Sequence, residues 1–145
     1  MKESRHERGM RIRREVLGDA HVDRALAAAT PFSAPFQELL TEVAWGDVWA
    51  RPGLDRRTRS GITLAVLTAL GREREIAIHV RGALRNGLGE NEIAEVLLHT
   101  AIYAGIPAAH SAFAIAERVL DELAEKRRDS RPRAAGDCGV HPCVR

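Results

Sequence analysis

"DRRTRSGITLAVLTALG", residues 55–71, sets the reading of the whole chain. Asp55 has the chemistry of an N-cap, because its carboxylate can accept hydrogen bonds from the unpaired backbone N–H groups of a first helical turn. Gly71 closes the segment. Between them, residues 62–70 are apolar nearly all round, the pattern of a central helix buried on every side.

Working outward, the spacing stays helical. "REREIAIHVRGALRN" follows and stops at Gly87, where a glycine cap is expected. "GENEIAEVLLHTAIYAG" then places Ile93, Val96, Leu97 and Ala101 on one face and ends at Gly105. Pro107 suits the first residue of a last helix, "PAAHSAFAIAERVLDELAEK". Upstream, "MRIRREVLG" and "HVDRALAAA" are short amphipathic pieces. "SAPFQELLTEVAWGDVWA" sets Phe36, Leu39, Leu40, Val43 and Ala44 at three- and four-residue intervals, before "RPG" at 51–53 breaks the helix. No strand alternation and no internal repeat appears. The fold expected is all-α, one helical domain over residues 1–126, with an aperiodic basic tail over 127–145 that reads as disordered.

The 145 residues suffice for one domain, which buries roughly two thirds of the surface of its unfolded chain. Apolar content is 45% but aromatic content only 4%, so alanine and leucine carry the core. No apolar run reaches the roughly 18 residues of a membrane span, and no signal peptide is evident; a soluble, cytoplasmic protein is expected. The net charge of +2 is unevenly spread: residues 1–14 and 126–145 each hold six basic and two acidic side chains, which leaves 15–125 at −6. Basic ends around an acidic body do not form the continuous basic face that nucleic acid requires. Cys138, His141 and Cys143 offer three ligands where zinc normally takes four, and no partner cluster lies elsewhere, so no metal is expected.

Within "HVRGALRNG", residues 79–87, His79 shares a helix face with Glu75, Ile76, Gly82 and Ala83. The small residues leave room beside the imidazole, either for tight packing or for a small molecule. Taken alone, the window favours a buried structural histidine. Histidine is nevertheless the side chain best suited to proton transfer near neutral pH.

The stretch "WARPGLDRRTRSGITLAVLTALGREREIAIHVRGALRNGLGENEIAEVLLHTAIYAGIPAAHSAF" resembles the carboxymuconolactone decarboxylase family. With "RREVLGDAHVDRALA" and "FQELLTEVAWGDVW" upstream, the resemblance covers about residues 8–125. It implies an AhpD-like helical bundle of about six to seven helices. The thiol peroxidases of the wider superfamily carry a glutamate, a C-x-x-C pair and a histidine. This chain has Ser60, Arg72 and Glu75 in place of the first three and keeps only His79. Without a thiolate, thiol–disulfide chemistry is excluded on this helix.

The resemblance implies decarboxylation of 4-carboxymuconolactone to 3-oxoadipate enol-lactone, in the protocatechuate branch of the β-ketoadipate pathway. No cofactor is required. Loss of CO2 leaves a dienolate whose charge reaches the lactone carbonyl, so the substrate is its own electron sink. The protein must hold a small dicarboxylate, aim donors at the developing oxyanion and deliver one proton to ring carbon. His79 is the candidate donor. Arg51 and Arg57 are the candidates for the carboxylates, since a guanidinium matches them in a planar fork. Glu42 would orient His79, or else be a surface carboxylate. Trp45 would line the substrate, or with Trp49 be core or subunit contact. Tyr103 would donate a hydrogen bond in the pocket, or find a purely structural partner. His99 and His110 read as structural or interfacial. The resemblance also implies a homo-oligomer, trimer or hexamer. Two other readings stay open: an enzyme acting on a related lactone or keto acid, and a non-catalytic oligomeric helical protein.

Overall fold

The computed structural model describes residues 2–131. Ser4 and Glu7 start the first helix with a reciprocal cap, Glu7 N–H donating to Ser4 Oγ at 3.1 Å and Ser4 N–H to Glu7 Oε2 at 2.8 Å. The order is α1 (Arg5–Leu17), α2 (Asp19–Ala27), α3 (Ala34–Leu39), a π-helical stretch (Leu40–Val48) continuing from α3, α4 (Arg56–Ala69), α5 (Glu73–Arg85), α6 (Glu90–Ala104) and α7 (Ile106–Asp129). Among the described residues there is no strand, and the expected all-α bundle holds. None of these helices is long and apolar enough to cross a membrane.

The local stops and starts fall where their chemistry puts them. Thr58 N–H donates to the Asp55 carboxylate at 2.7 Å, which caps α4. Gly71, Gly87 and Gly105 take φ of +65°, +92° and +100°, a backbone region costly for any residue with a Cβ. Gly89 gives α6 no side-chain cap, while the Glu92 carboxylate reaches back to the Gly89 backbone.

Two apolar clusters share α5 as a common wall. On one side α4, α6 and α7 pack Leu64, Leu97, Ile93, Ala112 and Val119 against Ile76, Val80 and Ala83. On the other, α1, α2 and the π-helical stretch gather Ile12, Val16, Leu17, Val22 and Trp45, with Ile78 of α5 packed against them. His79 lies between Ile78 and Val80, so the wall itself carries the imidazole.

Three expectations are corrected. First, α4 is not buried all round: it buries Ser60, Leu64 and Thr68 and exposes Ile62, Val66 and Leu70. Those three recur every four residues and form one apolar stripe on the surface. Second, residues 33–50 do not form a single α-helix with Phe36, Leu39 and Val43 inward. The ladder widens at Leu40, and Thr41, Trp45 and Gly46 are buried while Phe36, Leu39 and Val43 are exposed. Each π turn takes up more residues than an α turn, which rotates the buried face away from the 3.6-residue stripe. Third, α7 runs to Asp129, past the expected end of the helical domain. The remainder of the basic tail, with Cys138, His141 and Cys143, lies outside the described residues.

Candidate active site

His79 points from α5 toward the cluster built by α1 and the π-helical stretch. Trp45 of that stretch and Trp49, the residue that closes it, stand beside it. Trp45 and Trp49 have ring centroids 5.0 Å apart, and each lies 6.4 Å from the imidazole with its plane within 23° of parallel. The three rings form one aromatic group. Burial pushes His79 down from 6.5 to about 4, the charge of His21 adds to that, and Glu75 partly opposes it. Its Nδ1 is buried and meets no hydrogen-bond partner. Near pH 7 the side chain is therefore a neutral imidazole with one unengaged ring nitrogen.

None of the main surface cavities is lined by His79. One of them, a groove of about 400 Å³, is bounded by Leu39, Leu40, Val43, Val48 and Trp49. Trp49 therefore borders the groove and also lies beside the imidazole.

Of the expected site residues, the fold gathers His79 and Trp45 and disperses the rest. Arg51 is exposed and lines a different cavity of about 460 Å³ with Arg8, Asp47 and Pro52; its carbonyl oxygen accepts from Arg59 at 3.0 Å. Arg57 is engaged elsewhere: its guanidinium pairs with Glu92 and donates to the Gly87 carbonyl, tying the start of α4 to the α5–α6 turn. Glu42 acts on Arg5, whereas the charges felt by His79 are those of His21 and Glu75. Tyr103 stands outside the group, exposed on α6 with its ring 5.2 Å from that of His99. His99 and His110 are exposed beside grooves flanking α6. Among the described residues, no three of His, Cys, Asp and Glu gather where they could hold a metal ion.

Sequence reading missed two basic side chains. Arg13 of α1 is buried, donating from Nη1 to Thr41 Oγ1 at 3.2 Å and from Nη2 to Gln37 Oε1 at 3.0 Å. Its position was legible, because Gly9, Ile12, Arg13, Val16 and Leu17 make the single buried stripe of α1. His21 of α2 is held below its usual range by burial and then by Arg24, Arg13, Arg74 and Arg85. Arg13 acts on His21, and His21 acts on His79. The contacts of α1 with α5 advance in step: Gly82 faces Val16, and Gly18 faces Arg85.

A model of the carboxymuconolactone decarboxylase family matches residues 34–118, from α3 into α7. The chain belongs to this family. A 4-carboxymuconolactone decarboxylase of Acinetobacter baylyi is 46% identical over 121 residues, 83% of this chain and 90% of the relative. A nitrosuccinic acid decarboxylase of Metarhizium robertsii is 44% identical over 124 residues, 86% and 87% of the two chains. A 4-carboxymuconolactone decarboxylase of Pseudomonas putida is 54% identical over 43 residues, 30% of this chain and 90% of that sequence. The match to the family model takes in Trp45, Trp49 and His79; Arg13 and His21 lie upstream of it.

Proposed function

We propose that the protein decarboxylates 4-carboxymuconolactone without a cofactor and that His79 supplies the proton. The observation that carries this reading is the unengaged imidazole of His79, held against two indoles in a family of decarboxylases. The carbon–carboxylate bond breaks, its electron pair enters the lactone ring as a dienolate, and CO2 departs. One proton must then reach ring carbon. In the free protein His79 is neutral, because burial outweighs every other influence on it. A dianionic substrate beside it reverses that balance, since nearby negative charge favours the imidazolium. Substrate binding therefore loads the proton that the reaction consumes, and solvent restores it after each turnover. The route to His79 passes Trp49, from the groove that Trp49 walls. A nine-residue π-helical stretch is rare in proteins and recurs at functional sites, which supports this location.

Nitrosuccinic acid is a second candidate substrate, favoured by the 44% identical relative. Both molecules are dicarboxylic acids in which an electron-accepting group, an unsaturated lactone or a nitro group, can take up the charge left by CO2. Purified protein supplied with each acid in turn should release CO2 from the lactone with the higher kcat/KM. A higher value on nitrosuccinate would transfer the assignment to that acid, and no release from either would remove the decarboxylase reading.

We further propose a homo-oligomer. Ile62, Val66 and Leu70 on α4 and Ile102, Tyr103 and Ile106 at the end of α6 expose apolar surface that a lone soluble chain rarely shows in such quantity. Sedimentation of the purified protein should give a trimer or hexamer; a monomer at micromolar concentration would refute it.

A further inference from the structure

Among the described residues Arg13 is the one charged side chain in the buried interior, 3% exposed. Its two hydrogen-bond partners, Thr41 and Gln37, are neutral, and its Nε–H meets no acceptor. Among the described residues no carboxylate forms an ion pair with it, and burial first, then the neighbouring Arg14 cation, disfavour its charged form. The carboxylates near α1 are engaged elsewhere: Asp19 and Asp23 pair with Arg14, and Glu15 with Arg56 and Arg11. Burying a charge without a counter-ion costs several kcal/mol, and an apolar residue of the same volume would serve packing better. An anion from outside the chain would offset that cost.

The position says which anion. Thr41, which receives Arg13, lies one helical turn before Trp45, and Trp45 stands against His79. The imidazole of His21 lies within the influence of Arg13 and itself acts on His79. We infer that Arg13 binds the carboxylate that the substrate keeps, which turns the ring carbon that takes the proton toward His79 and the departing carboxylate away from both cations. This rests on the decarboxylase reading. A cation clamped on the leaving carboxylate would stabilise the charge that must vanish as neutral CO2 forms, and so would slow the reaction. On the retained carboxylate the charge is the same in ground and transition states, and an arginine there contributes binding alone.

That distinction is measurable. Arg13→Met keeps the volume and removes the charge; Arg13→Lys keeps the charge and loses the planar fork. Succinate serves as a dicarboxylate probe that carries no lactone. Wild type should gain thermal stability with millimolar succinate. Arg13→Met should melt at or above the wild-type temperature without succinate and show no shift with it. Its KM for the lactone should rise about 10- to 100-fold with kcat within a few-fold, the pattern of lost uniform binding. Arg13→Lys should fall between the two, and it decides the matter by the same KM and succinate readouts if the methionine variant does not fold. Turnover with KM and succinate shift unchanged in the folded variants would remove Arg13 from the site and leave the decarboxylase reading standing. A succinate shift that Arg13→Met abolishes, in a protein that turns over neither acid, would leave the anion site standing and remove the decarboxylase reading. No succinate shift in wild type would overturn the anion site.

Discussion

His79→Ala should remain folded and release CO2 from 4-carboxymuconolactone about 10²- to 10⁴-fold more slowly than wild type, the usual contribution of a positioned proton donor. The loss should fall on kcat and kcat/KM together, because the proton is needed after the bond breaks and not while the substrate binds. The same variant tests the electrostatics. In wild type the native state holds His79 at about 4 against 6.5 in the unfolded chain, so between those values the unfolded state binds a proton that the native state refuses. Stability must then fall as pH drops from about 6.5 toward 4. The penalty from this one group is about 2 to 3 kcal/mol at pH 4.5, taking 1.36 kcal/mol per unit of difference. Removing the imidazole removes the penalty, and urea unfolding of His79→Ala should lose that much less between pH 7 and pH 4.5. His21, also held low, leaves a smaller decline in the same direction. A folded variant with wild-type kcat would take His79 out of the mechanism. Equal pH dependence in the two proteins would show that the imidazole is not buried as described.

The helices of this chain are legible because their ends are local chemistry. Asp55 needs only the N–H of Thr58 to act as a cap, and Gly71, Gly87 and Gly105 need only their own missing Cβ. What lies beyond one helix is not written in the same way. An apolar stripe such as Ile62, Val66 and Leu70 has the same spacing whether it faces a core or the outside of the chain, and here it faces outside. A 3.6-residue period does not give the inward face of residues 40–48, because the ladder there is π-helical. Trp45 next to His79 was reachable as a candidate only through the family resemblance, since 34 positions separate them. Arg57 looked available for a carboxylate because Glu92, its partner, is distant in sequence. Arg13 belongs to the basic amino-terminal charge by tally, yet its place in the buried stripe of α1 sets it apart from its neighbours. Charge tallies average over a segment, and the informative cation was the exception within it.

Gly9→Ala should destabilise the protein by at least about 2 kcal/mol in urea or thermal unfolding, toward the upper end of what overpacking costs. In an ordinary helix interior the change would stabilise, by roughly 0.5 to 1 kcal/mol. The reversal comes from the crossing of α1 over the π-helical stretch. A Cβ at Gly9 would lie 2.0 Å from the carbonyl oxygen of Thr41, 2.9 Å from its carbon and 3.0 Å from the nitrogen of Gly46. All three are backbone atoms and cannot swing aside. Gly46 is under the same constraint from the other side, its Cβ falling 2.6 Å from the carbonyl oxygen of Arg5. The two chains therefore touch backbone to backbone, and an added methyl must push them apart. Separation would draw Thr41 away from Arg13 and shift Trp45, one turn further on, against His79, so turnover should fall with stability. Gly61→Ala is the control: it lies inside α4, its nearest neighbour would be Val96 Cγ2 at an ordinary 3.5 Å, and it should be neutral or mildly stabilising. Equal effects at the two positions would mean that the close approach of α1 to residues 41–46 does not exist, and with it would go the seat of both Arg13 and His79.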